Sequence, residues 1–199
     1  MESRLIFIGG GSGAGKTTLA EVIKEDIDGE VRLVSTDRFY RDFDDPEDAN
    51  YDHPDSIDWN LMKECLEDLR SREEAKLPVY SFENHERKGF ETAESANVIV
   101  LEGIFALVDR NLNHRADLRV YVETDSDIRF IRRLDRDTSE RGRTRQSVID
   151  QWIDQVKPMH REYIQPSRRN AHVIIPEDPD REMRETAKNL LSSRLEDFC

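Results

Sequence analysis

Leu5 to Ile8 is an unbroken apolar run, glycine-rich Gly9 to Gly15 follows it, and from Thr17 apolar Leu19, Ala20, Ile23 and Ile27 recur at helical spacing. That order predicts a buried strand, a loop and an amphipathic helix. Val31 to Val34 predicts a second short strand ending at Ser35-Thr36-Asp37. From Arg38 to Asp58 the chain is polar and broken by prolines, a loop of a length that is usually functional inside a compact domain. Asp58 can cap a helix carrying Leu61, Leu66 and Leu69. Leu77 to Phe82 and Lys88 to Glu91 flank a polar turn, the pattern of a small β-hairpin insert over about residues 77–92. Further buried strands are expected at Asn97 to Leu101, Leu118 to Val122 and Val173 to Ile175, with helices at about 125–136, 145–164 and 180–197.

Strands alternating with helices imply right-handed βαβ units, so the expected fold class is α/β, a five-stranded parallel sheet with helices on both faces. A chain of 199 residues fits a single domain with a small insert. Ligands of such sheets bind at the carboxyl ends of the strands. The polar strand endings at Gly10, Asp37 and Glu102 should therefore meet in one place.

Composition narrows the setting. The acids number 43 and the bases 30, giving −13, and the bases are 23 Arg and only 7 Lys. An acid-rich, lysine-poor surface repels itself in dilute buffer and is relieved by salt, which points to a salt-adapted, halophilic cytosol. Such a surface is a poor match for a nucleic-acid polymer. The two cysteines, Cys65 in a helical pattern and the terminal Cys199, do not form a disulfide framework, and no apolar run is long enough for a signal peptide or a membrane span. A cytoplasmic protein is expected.

Gly10 to Thr17 reads GGSGAGKT, the GxxxxGK[ST] pattern, directly after a strand and at the start of a helix. This is a P-loop. Gly10, Gly11, Ser12, Gly13, Ala14, Gly15, Lys16, Thr17 and Thr18 are the expected nucleotide-phosphate contacts, with Lys16 on the β and γ phosphates and the Thr17 hydroxyl toward Mg²⁺. Glu102, at the tip of Val98 to Leu101, is the expected second metal-facing group. Asp37 ends the neighbouring strand, where a carboxylate can accept a hydroxyl proton. The NKxD guanine motif of GTPase switches does not occur.

Arg129, Arg132, Arg133, Arg136, Arg141, Arg143 and Arg145 crowd one short segment with Gly142 as a hinge. Arg136, Arg141 and Arg143 are expected in a phosphate-closing lid over about 136–145, since bidentate guanidinium contacts stabilise charge on a transferring phosphoryl group. Arg129, Arg132 and Arg145 are expected in solvated pairs with Asp125, Asp127, Asp135, Asp137 and Glu140. In the hairpin, Tyr80 and Phe82 alternate onto one strand face and His85 follows in the turn, either as ordinary packing or as a wall for a sugar or base.

The strings STDRFYRD, NYDHPDSID, PVYSFENHER, VIVLEGIFAL, VYVETDSDIRFIRR, RDTSERGR, QWIDQVKPMHREYIQPS and HVIIP, in that order over about 175 residues, resemble the uridine kinase family, grouped with phosphoribulokinases among P-loop small-molecule kinases. The resemblance implies an ATP- and Mg²⁺-dependent transfer to the 5-hydroxyl of a ribosyl acceptor, with Asp37 at the catalytic-base position and Lys16, Arg136 and Arg141 sharing the catalytic charge. It implies that Asp52 and Arg133 hold ribose hydroxyls, that Tyr80, Phe82 and His85 surround the base, and that Arg143 and Gln151 are further acceptor contacts; Tyr40 and Arg38, beside Asp37 on the acceptor loop, are also expected at the acceptor site. It also implies a homo-oligomer, a dimer or tetramer.

Two positions depart from the family pattern. Ser81 stands where an Asp is usual, and Arg38 where the residue after the catalytic Asp is usually small or neutral. Both add positive charge, which points to a phosphorylated acceptor, ribose 1-phosphate, giving ribose 1,5-bisphosphate. The alternative is uridine or cytidine, giving UMP or CMP. Outside these, a regulatory nucleotide switch would need no acceptor pocket, and an inactive binding module should have lost Lys16, Asp37 or Glu102.

Overall fold

A computed structural model of the chain describes residues 2–27, 29–46 and 49–176. The strands are β1 (Arg4–Gly10), β2 (Val31–Ser35), β3 (Ala75–Ser81), β4 (Glu86–Ala93), β5 (Val98–Glu102), β6 (Leu118–Glu123) and β7 (Val173–Pro176). The helices are α1 (Lys16–Asp26), α2 (Trp59–Arg70), α3 (Arg110–Asn113), α4 (Ser126–Ser139) and α5 (Arg145–Gln151). Five strands form one sheet in the order β2-β5-β1-β6-β7, every neighbouring pair parallel. The hairpin β3–β4 is a separate antiparallel pair. The helix expected at about 180–197 lies outside the described residues, and among these no helix is long and apolar enough to cross a membrane.

The apolar runs form central strands because both sheet faces are covered. Leu5, Phe7, Ile99, Leu101 and Tyr121 face a layer containing Met62, Leu66 and Leu69 of α2 and Leu77 of the hairpin. Their sequence neighbours Ile6, Ile8, Val98, Val100, Val120 and Val122 face the other layer, against Leu19, Ala20 and Ile23 of α1. The period of two along each strand thus produces two cores from one sheet.

The segment read as a long loop is tied at its neck. Asp58 N donates to Phe39 O at 2.7 Å, Arg41 N donates to Ser56 O at 2.8 Å, and Tyr40 bridges Ile57. Two short 3₁₀ turns, Thr36–Phe39 and Pro54–Ser56, fill its ends. Asp58 caps α2 as expected, accepting from Leu61 N at 3.2 Å.

The helix read at 145–164 is a longer helical run reaching Asn170, interrupted by π-helical turns at Trp152–Val156 and His160–Ile164. Each π turn stands just before a proline, Pro158 and Pro166 respectively. Proline removes one helical donor and clashes with the carbonyl four residues back, and the wider turn accommodates both.

Close approach of β5 to the chain leaving β2 depends on Gly103. Its φ is +153°, and a Cβ there would lie 1.8 Å from Oγ1 of buried Thr36. Gly103→Ala is expected to destabilise the fold by about 2 kcal/mol or more, lowering the melting temperature by roughly 4 °C or more. A thermal melt unchanged from wild type would show that this gap is wider than described.

Candidate active site

β1, β5 and β2 run side by side in a register that pairs Ile8 with Glu102 and Glu102 with Ser35. The next residues along the outer two strands are Gly9-Gly10 and Thr36-Asp37, so the P-loop, Asp37 and Glu102 emerge at one sheet edge. They line a single cleft of about 1240 Å³. The expected convergence of three strand endings is present.

The P-loop wraps from Gly10 into α1, which begins at Lys16. Ala14 N donates to Gly11 O at 3.1 Å, and Lys16 Nζ donates to the same carbonyl at 2.9 Å. Ala14 O accepts from Thr124 Oγ1 at 3.1 Å, which ties the loop to the end of β6. Ser12, Gly13, Lys16 and Thr17 face the cleft. Burial lowers the Lys16 pKa, and Glu102 and Asp37 oppose that shift. Burial likewise raises the Glu102 carboxyl, opposed by Lys16 and by hydrogen bonds from the Ser35 and Thr17 hydroxyls.

Among the described residues no group of three or more His, Cys, Asp or Glu is arranged to hold a metal ion. Thr17 and Glu102, side by side, fit Mg²⁺ carried on phosphate oxygens and water, which needs only one or two protein carboxylates.

Along the far wall, α4 turns its charged stripe inward. Arg129, Arg133 and Asp137, spaced by one helical turn, are 4%, 8% and 1% exposed, whereas Ile131 is exposed. Arg133 donates to Ser12 Oγ at 2.9 Å and to Gln151 Oε1 at 2.8 Å, and lies 3.9 Å from Asp52 Oδ1. Arg143 also donates to Gln151 Oε1. Arg136 and Arg141 both reach Asp137. Arg133, Arg136, Arg141 and Arg143 all line the cleft, with Gly142 turning the chain between α4 and α5.

At the opposite end is an aromatic wall. Tyr40 meets Tyr51 and Tyr80 with ring centroids 5.3 and 5.4 Å apart, Tyr80 meets Phe82 at 5.5 Å, and His85 stacks on Tyr51 at 5.1 Å. The Arg141 guanidinium lies 5.1 Å over Phe82, joining lid to hairpin. Asp52 is buried between wall and lid. Burial raises its carboxyl pKa, and Arg133 opposes that shift.

Four expectations need correction. Arg38 lines the cleft, but its guanidinium is committed to the hairpin, donating to Pro78 O at 3.0 Å and pairing with Glu91 at 2.8 Å. Ser81 accepts from Asn84 N at 3.3 Å within the hairpin turn and is not among the residues lining the cleft. Arg129 is not solvated: it donates to Thr124 O at 3.1 Å, lies 5.4 Å over Trp152, and packs so tightly on the P-loop that a Cβ at Gly11 would lie 2.4 Å from its Nη1. Asp137, expected in a solvated pair, is enclosed.

The sequence profile described as Phosphoribulokinase / Uridine kinase family matches residues 5–184. The chain belongs to this family. It is 42% identical to a uridine kinase of Halobacterium salinarum, covering 96% of this chain and 86% of that relative. It is 44% identical to the uridine kinases of Staphylococcus haemolyticus, covering 87% of each, and of Deinococcus deserti, covering 96% of this chain and 94% of the relative. In fold it is similar to phosphoribulokinase from Rhodobacter spheroides, with a TM-score of 0.67 at 16% identity over 88% of this chain and 70% of that one. D-glycerate 3-kinase from Cryptococcus neoformans var. grubii gives 0.62 at 17% identity over 84% and 80%. The α/β P-loop kinase fold is thus shared, and the chain is a phosphotransferase with a hydroxyl acceptor.

Sequence reasoning did not assign Tyr51 to the aromatic wall or His160 to the underside of the P-loop. His160 begins the second π turn, is largely enclosed, and faces Arg129, Lys16 and Arg161. Burial, reinforced by those cations, pulls its pKa from 6.5 down to about 4. The folded state therefore keeps it neutral where the unfolded chain protonates it, so its contribution is complete above about pH 6.5 and is lost as pH falls toward about 4. In parallel urea titrations, the stability gap between wild type and His160→Gln should shrink across that window. A gap constant with pH would place the imidazole in solvent.

Proposed function

We propose that the protein is an ATP- and Mg²⁺-dependent nucleoside kinase that phosphorylates the 5′-hydroxyl of uridine or cytidine. The observation that carries this reading is one cleft joining a P-loop and two strand-end carboxylates to an aromatic wall of Tyr40, Tyr51, Tyr80, Phe82 and His85. Flat aromatic faces suit a nucleobase, whereas a bare sugar phosphate makes no use of them. The relatives named uridine kinase favour the same acceptor.

Ribose 1-phosphate, which the charge of Arg38 and the loss of an acid at Ser81 favour in sequence, loses its physical support here. The Arg38 charge is compensated by Glu91, and Ser81 serves the hairpin turn.

In the proposed reaction, Asp37 accepts the proton of the acceptor hydroxyl as its oxygen bonds to the γ-phosphorus of ATP, and the bond to the β–γ bridging oxygen breaks to release ADP. Backbone N–H groups from Gly10 to Thr18, together with Lys16, hold the donor phosphates. Arg136 and Arg141 stabilise charge on the transferring group. Asp52 and Arg133 hold the ribose hydroxyls, with Gln151 and Arg143 fixing Arg133 and the lid. Thr17 and Glu102 would hold Mg²⁺, which would supply neutralisation of the charge that develops on the phosphates.

The salt-adapted habitat rests on composition alone, since comparable identity extends to staphylococcal and deinococcal relatives. A homo-oligomer, implied by the family resemblance, is read by light scattering.

Asp37→Asn is expected to lower kcat by about 10²- to 10⁴-fold while ATP affinity by calorimetry stays within a few-fold. Turnover near wild type would remove Asp37 from the proton transfer. In an ADP-release screen, uridine and cytidine should outpace ribose 1-phosphate, and Arg38→Ala should leave uridine turnover within about threefold, the range for a side chain that binds outside the acceptor. Preference for ribose 1-phosphate, lost in Arg38→Ala, would overturn the nucleoside assignment.

A further inference from the structure

Asp137 is the most enclosed ionisable side chain on the lid side of the cleft, at 1% exposure, and the proposed chemistry gives it no contact with either substrate. Three guanidiniums converge on it from three positions. Arg136 places Nε 2.9 Å and Nη2 2.8 Å from Oδ1, Arg141 places Nη1 3.6 Å from the same oxygen, and Arg133 places Nε 3.3 Å from Oδ2. The Asp137 carbonyl also accepts from Arg143 N at 3.1 Å, fixing the backbone where the chain turns after α4. Each of the four arginines lines the cleft, whereas Asp137 does not.

We infer that Asp137 is a positioning residue that assembles the lid arginines around a future phosphoryl group before substrates bind. The inference rests on the kinase reading and deepens it. A lone buried carboxylate is costly, but one carboxylate among three guanidiniums is paired and leaves the group with surplus positive charge. That surplus faces the cleft, where a transferring phosphoryl group is anionic. Arg136 and Arg141 are a third or more exposed, so without a fixed carboxylate nothing else described here orders both of them. Arg133, by contrast, has partners of its own in Ser12 of the P-loop, Gln151 and Asp52 of the acceptor loop, so its place at the acceptor does not depend on Asp137.

Asp137→Asn keeps the shape and removes the charge. With MgATP and uridine, it should lower kcat by roughly 10- to 100-fold, the scale of a misplaced catalytic group, and leave the KM for uridine within about threefold. Binding of a non-hydrolysable ATP analogue should not weaken, because the lid cations are then less neutralised. Asp137→Glu, which restores the carboxylate, should recover at least several-fold of the lost turnover.

An Asn variant within about twofold of wild type, or Glu and Asn variants equally impaired, would overturn the inference. Should Asp137→Asn fail to fold, the side-chain Nε–H resonance of Arg136 in the wild-type enzyme decides. A rigid, slowly exchanging signal in the absence of nucleotide supports positioning, and a freely averaged one refutes it. These readouts separate from the kinase reading. If wild type phosphorylates no nucleoside, that reading fails while the Arg136 signal still tests Asp137. If Asp37→Asn abolishes turnover but Asp137→Asn does not alter it, only the positioning role falls.

Discussion

The register of three neighbouring parallel strands is the constraint from which the cleft follows. Ile8 of β1 lies beside Glu102 of β5, and Glu102 beside Ser35 of β2. Adjacent strands are about 4.8 Å apart, so groups one or two residues past these positions are forced within reach of one another. Slipping one strand by a single residue would turn Glu102 to the opposite face and exchange the apolar sets that pack the two layers. The alternating cores of Leu5 and Phe7 on one side and Ile6 and Ile8 on the other hold that register, so the hydrophobic pattern of β1 indirectly fixes where the acids stand. Stability and proposed chemistry thus share one determinant.

Electrostatically the cleft has two unlike halves. On the strand side, Lys16, Glu102 and Asp37 sit close enough that each shifts another's ionisation or is set against it by burial. On the helix side, arginines outnumber the carboxylate they share. The protein carries a strongly negative net charge, and acids line the cleft as well, yet Arg133, Arg136, Arg141 and Arg143 are grouped on its helix side, where an anionic phosphoryl group meets positive charge. The aromatic wall carries little charge and closes the other end.

Much of this was legible in the chain. The GGSGAGKT string, the apolar runs and the polar residue ending each run sufficed for the sheet, the P-loop and the meeting of Asp37 with Glu102, because strand period and the parallel-sheet rule are local and general. The hairpin was legible for the same reason. What could not be read was which charges face inward. In α4 the sequence pattern places Arg129 and Asp137 in solvated pairs, yet both are buried, because a cleft rather than open solvent lies against that side of the helix. Arg38 is the same problem on a smaller scale. Its number of charges was countable, but its partner Glu91 is far away in sequence and reaches it only through the fold of β3 onto β4.

By itself the sequence determined the α/β class, the phosphate cradle and the three strand-end groups, since each depends on residues adjacent in the chain and on a periodicity of two or of 3.6. Only the tertiary structure decided the pairing of Arg38 with Glu91, the seating of Arg129 under Gly11 and Gly13, the enclosure of Asp137 and the joining of Tyr51 to the wall. Each of these depends on which of several long, charged or aromatic side chains wins a partner across a large sequence separation. That choice is made by the packing of whole elements, and local spacing carries no record of it.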